Sequence, residues 1–225
     1  MRVLVGCEMS GAVRNALRRV GVDAWSCDHE ASLTPGPHII GDVLQVIRWG
    51  WDGAIVFPPC TFINSAGMHW NGRDPSRAEK TRGGVDFARR LWESGVPIMA
   101  MENPVGILST HIRKPDQIIQ PYQYGHDASK KTCLWLRGLP RLVPTLWIAP
   151  RLVDGRPRWH NQTDSGQNAM SRGPKRAMLR SLTYSGVAWA MAWQWGGILR
   201  GPGDVGPAQS EAAAGPERTG HVIAF

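Results

Sequence analysis

Residues 52–60 read Asp-Gly-Ala-Ile-Val-Phe-Pro-Pro-Cys. Ala54, Ile55, Val56 and Phe57 form an apolar run with no polar alternation, the pattern of a strand buried on both faces. Two prolines end the run, because neither has an N–H to offer a sheet ladder, and they place one thiol, Cys60, just past the strand. The same grammar recurs on either side. Residues 2–5 are a short apolar run broken by Ser10-Gly11. Residues 12–20 have helical spacing, with Val13, Ala16, Leu17 and Val20 on one face and Arg14, Arg18 and Arg19 on another, and Gly21 stands where a helix should stop. Residues 24–27 read as a strand ending in Asp28, and a Pro/Gly-rich loop at 34–37 leads to Ile39-Ile40-Gly41-Asp42. Beyond Cys60, residues 61–82 read as a mobile loop and 85–93 as a helix. Residues 98–101 form a further buried strand ending in Glu102-Asn103-Pro104, and 132–136 another strand. Residues 138–175 read as irregular, 175–195 as helical with a break at 184–186, and 196–225 as a disordered tail rich in Gly, Pro and Ala.

Strands alternating with helices predict an α/β fold, a mostly parallel sheet covered on both faces. Ligands of such sheets bind outside the carboxyl ends of the strands. Glu8, Asp28, Asp42, Cys60 and Glu102 all fall at or just past those predicted ends.

Composition narrows the class. The chain has 225 residues, 42% of them hydrophobic and 20% charged, which describes a globular protein with a sizeable core. No apolar run approaches a membrane span, and the opening run meets Glu8 too early for a signal peptide. The four cysteines, Cys7, Cys27, Cys60 and Cys133, form no CxxC pair. Their scatter predicts free thiols, a reducing, cytoplasmic setting and no metal site. The formal charge of +8 favours a polyanionic partner, nucleic acid first. There is no Walker A sequence and no GxGxxG fingerprint.

Individually these residues are ambiguous. Cys60 suits a nucleophile held at the mouth of a cleft, and equally an inert buried thiol. Glu102 can exchange a proton with a heterocyclic nitrogen if burial raises its pKa, or be a loop acid. Asp28 can accept ribose hydroxyls, or simply form a turn.

In order along the chain, the signals resemble the S-adenosylmethionine-dependent cytosine-C5 DNA methyltransferases. The resemblance covers roughly residues 2–137, and any one motif is weak. The loop Val5-Gly6-Cys7-Glu8-Met9-Ser10-Gly11 stands where that family has a glycine-rich loop at the methionine part of the cofactor, with fewer glycines here. Asp28 matches the family's ribose-binding acid and Gly41-Asp42 its adenine-contacting pair. Pro58-Pro59-Cys60 matches the Pro-Cys nucleophile, and Glu102-Asn103-Pro104 the Glu-Asn-Val motif, with Pro for Val. The resemblance implies a Rossmann-like class I methyltransferase sheet with S-adenosylmethionine at Glu8, Met9, Ser10, Gly11, Asp28, Asp42 and Pro59. It implies Cys60 and Glu102 as catalytic residues. Cys60 would add to C6 of a cytosine flipped out of the DNA stack, Glu102 would hold the N3 edge, and the methyl group would pass to C5.

Two departures shape the rest. Where the family has Gln-x-Arg-x-Arg, this chain has Ala128-Ser129-Lys130-Lys131-Thr132. Lys130 or Lys131 would then serve, with Asn103 and Pro104, in holding the base, although Lys does not reproduce a bidentate Arg. The target-recognition region is reduced, implying relaxed sequence specificity or an accessory specificity protein. The expected organisation is a core at 1–137, a small recognition region at 138–177 with Trp159 as a stacking residue and Arg151, Arg156, Arg158, Arg172, Lys175 and Arg176 for phosphates, a returning helix at 178–196, and a tail at 197–225. The loop at 61–82 would close over the base, with Asn64, His69, Arg73, Arg77, Lys80 and Arg82 toward phosphates. Other readings stay open: the same chemistry on RNA or a free pyrimidine nucleotide, another donor, or a catalytically silent nucleic-acid-binding module.

Overall fold

The computed structural model describes residues 1–169, 173 and 176–202. β1 (Arg2–Gly6), β2 (Asp23–Asp28), β3 (His38–Ile40), β4 (Gly53–Val56) and β5 (Ile98–Pro104) run parallel in the order β3-β2-β1-β4-β5. β6 (Gln117–Ile119) and β7 (Thr132–Arg137) complete a seven-stranded sheet, with β7 inserted antiparallel between β5 and β6. This is a Rossmann-like α/β sheet, with its strand order reversing between β1 and β4.

Alternation along the central strands divides the core. Val3, Val5 and Ile55 face a cluster built on α1 (Ala12–Arg19) and α6 (Ser185–Arg200), with Leu17, Met191 and Trp195. Leu4, Ala54 and Val56 face the other cluster, with Val43 and Val46 of α2 (Val43–Val46), Leu91 of α3 (Pro75–Trp92) and Trp135. Strands buried on both faces explain why residues 53–57 lack polar alternation.

The structure departs from the expected elements in four places. Arg14 does not belong to the polar face of α1; it is 0% exposed. Residues 61–82 are largely folded: a 3-10 turn spans Ser65–Trp70, and α3 begins at Pro75, capped by Asp74, whose carboxylate accepts the Ser76 and Arg77 N–H groups. The 138–175 stretch holds a hairpin, β8 (Arg151–Val153) with β9 (Arg156–Arg158), turned by Asp154-Gly155, both with positive φ. Asp-Gly is a hairpin signal in its own right. The final helical region is two helices, α5 (Arg176–Ser181) and α6, and α6 continues to Arg200, into the segment expected to be tail. The rest of that tail, with Arg172 and Lys175, lies outside the described residues.

Candidate active site

Five parallel strands aim their carboxyl ends at one edge, and the predicted residues gather there in two groups. The first surrounds the β1–α1 loop. Glu8, 4% exposed, turns its Oε1 inward to accept the Ser10 hydroxyl (2.7 Å) and the Val13 N–H (2.9 Å), so the acid caps α1. Its Oε2 is buried without a partner, and burial raises its pKa above the usual carboxylate range. Gly11 has φ 71°, and a Cβ there would run into Thr34 and Arg14. Asp28 uses one oxygen on the Glu30 N–H (3.2 Å), and Asp42 one on the Leu44 N–H (2.9 Å), capping α2. Desolvation first, and then both of these carboxylates, push the half-buried Cys7 thiol far above its ordinary value. Glu8, Asp28 and Asp42 thus fall at or past the carboxyl ends of β1, β2 and β3, Glu8 at the N-terminus of α1 and Asp42 at that of α2. Met9 and Ser10 are half-buried, and Pro59 is exposed.

Arg14 organises the loop beside these acids, a role that charge and spacing did not reveal. Its guanidinium donates to the Ser26 (2.7 Å) and Ser32 (3.0 Å) hydroxyls, to the Thr34 carbonyl (2.9 Å) and hydroxyl (3.1 Å), and to the Pro35 carbonyl (3.0 Å). The loop so gathered is tied to the β1–α1 loop by Leu33 N–H to the Met9 carbonyl (2.8 Å) and the Thr34 hydroxyl to the Ser10 carbonyl (2.9 Å).

The second group sits past β4 and β5. The Pro58-Pro59-Cys60 turn is held at both ends. Asn103, 1% exposed, donates its amide to the Pro58 carbonyl (2.7 Å), and the Cys60 carbonyl accepts the Ile63 and Asn64 N–H groups and the Asn64 side chain (2.8 Å). Asn103 and Asn64 are therefore positioned on the turn itself rather than toward a base or a phosphate. The charge of Glu102 acts on the Cys60 thiol. Burial first, then Glu102, raises the Cys60 pKa, against Lys130 and Arg180, which lower it. Burial raises Glu102 as well, opposed by Lys130 and Thr132.

Glu102, Lys130, Thr132, Tyr184 and the Ser181–Thr183 segment line one small cavity of about 20 Å³. Lys130 anchors its ammonium on the Arg180 carbonyl (3.0 Å), whereas Lys131 is exposed. Of the two lysines, Lys130 alone lines that cavity. Pro104 is half-buried at the end of β5.

The 61–82 region is folded against the site. Arg77 donates to the Gly67 carbonyl (3.1 Å) and lies over the Phe62 ring, and Thr81 donates to the Phe62 carbonyl (2.8 Å). His69, Arg73, Lys80 and Arg82 are exposed. Trp159 is stacked on Tyr122, centroids 4.3 Å apart. Among the described residues all four cysteines are free, no cluster of ligating side chains could hold a metal, and no helix is long and apolar enough to cross a membrane.

The fold and the two groups define an α/β protein that gathers three acids, a thiol and a further carboxyl at one sheet edge. No known family model matches the chain, and no curated protein does. Several solved structures are similar, among them two methyltransferases. One is a candidate DNA modification methyltransferase encoded within an E. coli prophage, 16% identical over 68% of this chain and 53% of that one, with a TM-score of 0.41. The other is a methyltransferase of Entamoeba histolytica, 15% identical over 66% of this chain and 58% of that one, with a TM-score of 0.42. The chain thus spans little more than half the length of either.

Proposed function

We propose that the chain is a DNA cytosine-C5 methyltransferase using S-adenosylmethionine. The supporting observation is that Cys60 and Glu102 lie past and at the ends of the neighbouring parallel strands β4 and β5, with Glu102's charge acting on the Cys60 thiol, on the same sheet edge as Glu8, Asp28 and Asp42. These acids fit the cofactor: they suit a ligand with an ammonium, a sulfonium and ribose hydroxyls, and the buried Glu8 Oε2 has no partner. Glu8, Met9, Ser10 and Gly11 would hold the methionine end, Asp28 the ribose and Asp42 the adenine side. When bound, the cofactor supplies an electrophilic methyl group.

Cytosine C5 is a weak nucleophile, and the protein's own residues cure that. The Cys60 thiolate adds to C6, forming a C–S bond and shifting electron density to C5. Glu102 donates a proton at N3, so the added charge does not remain on the ring. Lys130 supplies a cation beside the pyrimidine in place of the missing arginines. Once C5 carries the methyl group, N3 returns its proton to the Glu102 carboxylate and the C5 proton passes to solvent water, and the electron pair of that C–H bond expels the Cys60 thiolate. Asn103 acts as a positioning residue by fixing the turn that bears the thiol.

The test is transfer of labelled methyl to plasmid DNA, with RNA and free cytosine nucleotides in parallel and products identified by mass. The expected result is 5-methylcytosine in DNA, reduced more than about 10³-fold by Cys60→Ser. Undiminished transfer by Cys60→Ala would exclude the covalent route. Label confined to RNA or nucleotides would move the substrate.

A further inference from the structure

Tyr122 lies at the centre of a three-ring cluster. It stacks on Trp159 (4.3 Å, 11° between planes) and meets Trp147 at 5.7 Å. The cluster is anchored by the Ile148 N–H to the Tyr122 carbonyl (2.8 Å) and the Trp159 indole to the Ile148 carbonyl (3.4 Å). It is also wired to the site. Asn161 exchanges two hydrogen bonds with the Ser129 backbone (2.9 and 3.0 Å), next to Lys130. β6 and β7 place both Tyr122 and Ser129 at the carboxyl edge of β5, because Ile119 and Pro104 both pair with Thr132.

Trp147 is 62% exposed, so its ring is offered to solvent by a rigid support. Arg158 of β9 directly precedes Trp159 in the chain and Arg156, two residues earlier, is exposed, while Arg151 is paired with Asp164. An aromatic surface beside cations is how proteins hold unpaired bases over a charged backbone. In a duplex the base faces are already covered by their neighbours, and an exposed indole gains little.

Resting on the methyltransferase reading, we infer that the Trp147–Tyr122–Trp159 cluster is a stacking platform for bases flanking the target, and that the preferred substrate is single-stranded DNA. The platform replaces the large duplex-reading region, since base stacking tolerates any sequence.

The experiment uses the full chain without cofactor and a fluorescent 12-nucleotide single strand or its duplex, read by anisotropy. Methyl transfer to both DNAs is followed in parallel. The single strand is expected to bind more tightly than the duplex. Trp147→Ala should weaken single-strand binding about tenfold or more and leave duplex binding and the melting temperature unchanged, while Trp147→Phe should retain most of the affinity. Tighter duplex binding, or wild-type single-strand affinity in Trp147→Ala, overturns the platform, even if duplex DNA is methylated. Loss of single-strand binding in Trp147→Ala without methyl transfer to any DNA supports the platform and overturns the methyltransferase reading instead.

Discussion

Cys60 and Glu102 make opposite demands on protons. The nucleophile works as a thiolate and the acid works protonated. Burial lifts Glu102 above its ordinary 4.5, and burial with Glu102's charge lifts Cys60 above 9.0. The reactive form is Glu102 protonated with Cys60 ionised. Its share rises with pH, levels off between the two pKa values and falls beyond them. A profile of kcat/KM against pH should show that plateau. Glu102→Gln should slow neutral turnover by about 10²- to 10⁴-fold. It should also abolish the plateau, leaving a rate that climbs with pH toward the Cys60 value. Arg14 carries a different prediction. Lysine keeps its charge but cannot serve five acceptors, so Arg14→Lys should destabilise the chain by about 1–3 kcal/mol. It should also raise the KM for the methyl donor with kcat little changed, and speed amide exchange at residues 29–37. Equal KM values would detach Arg14 from the donor site. Sequence periodicity could not reveal this residue, because its partners are loop hydroxyls and carbonyls rather than an acid, and charge alone placed it on the wet face of α1.

The helices show how local chemistry completes the scaffold. Tyr184, at the N-cap of α6, makes no side-chain cap. His126 does so from across the fold, its Nε2 accepting the Gly186 N–H (2.9 Å), and a Cβ on Gly186 would collide with the Tyr124 carbonyl. Burial lowers the His126 pKa below 6.5. The unfolded chain binds that proton more readily, so this contribution is complete above about pH 6.5 and is lost as pH falls through the folded value. The melting temperature should drop from pH 7 toward pH 5, and less steeply in His126→Gln, whose amide oxygen can accept the same N–H without titrating. At this scale β1, α1, β2, β4, β5 and β7 were legible, each by a run long enough to show its period. Three-residue strands such as β3 and β6 show no period. The start of α3 was hidden among Asn, Gly and Asp residues although Asp74-Pro75 is a helix-start signal. Asp154-Gly155 likewise marked a hairpin within a stretch that looked irregular.

Across the whole molecule, the strand-end rule brought Glu8, Asp28, Asp42, Cys60 and Glu102 to one edge, because a parallel sheet gives all such residues the same direction. What covers that edge was less legible. Trp159 looked like a free stacking residue and is stacked on Tyr122 with part of its ring buried, whereas Trp147 is exposed; which indole meets solvent depends on tertiary contacts between residues 122, 147 and 159.

The position of β7 has a consequence for synthesis. It is the seventh strand made, yet it lies between the fifth and sixth, and its last residue locks the core. Arg137 donates to the Val96 (3.0 Å) and Trp92 (2.8 Å) carbonyls while lying over the Trp92 ring. Until it leaves the ribosome, β5 has a bare edge lined by Met99, Ala100 and Met101, open to pairing with any neighbouring chain. A product ending at residue 131 should aggregate when expressed, and one ending at residue 202 should stay dispersed in sedimentation. Nascent chains stalled between those points would be clients for chaperones, which makes the pace of translation through β7 a determinant of yield.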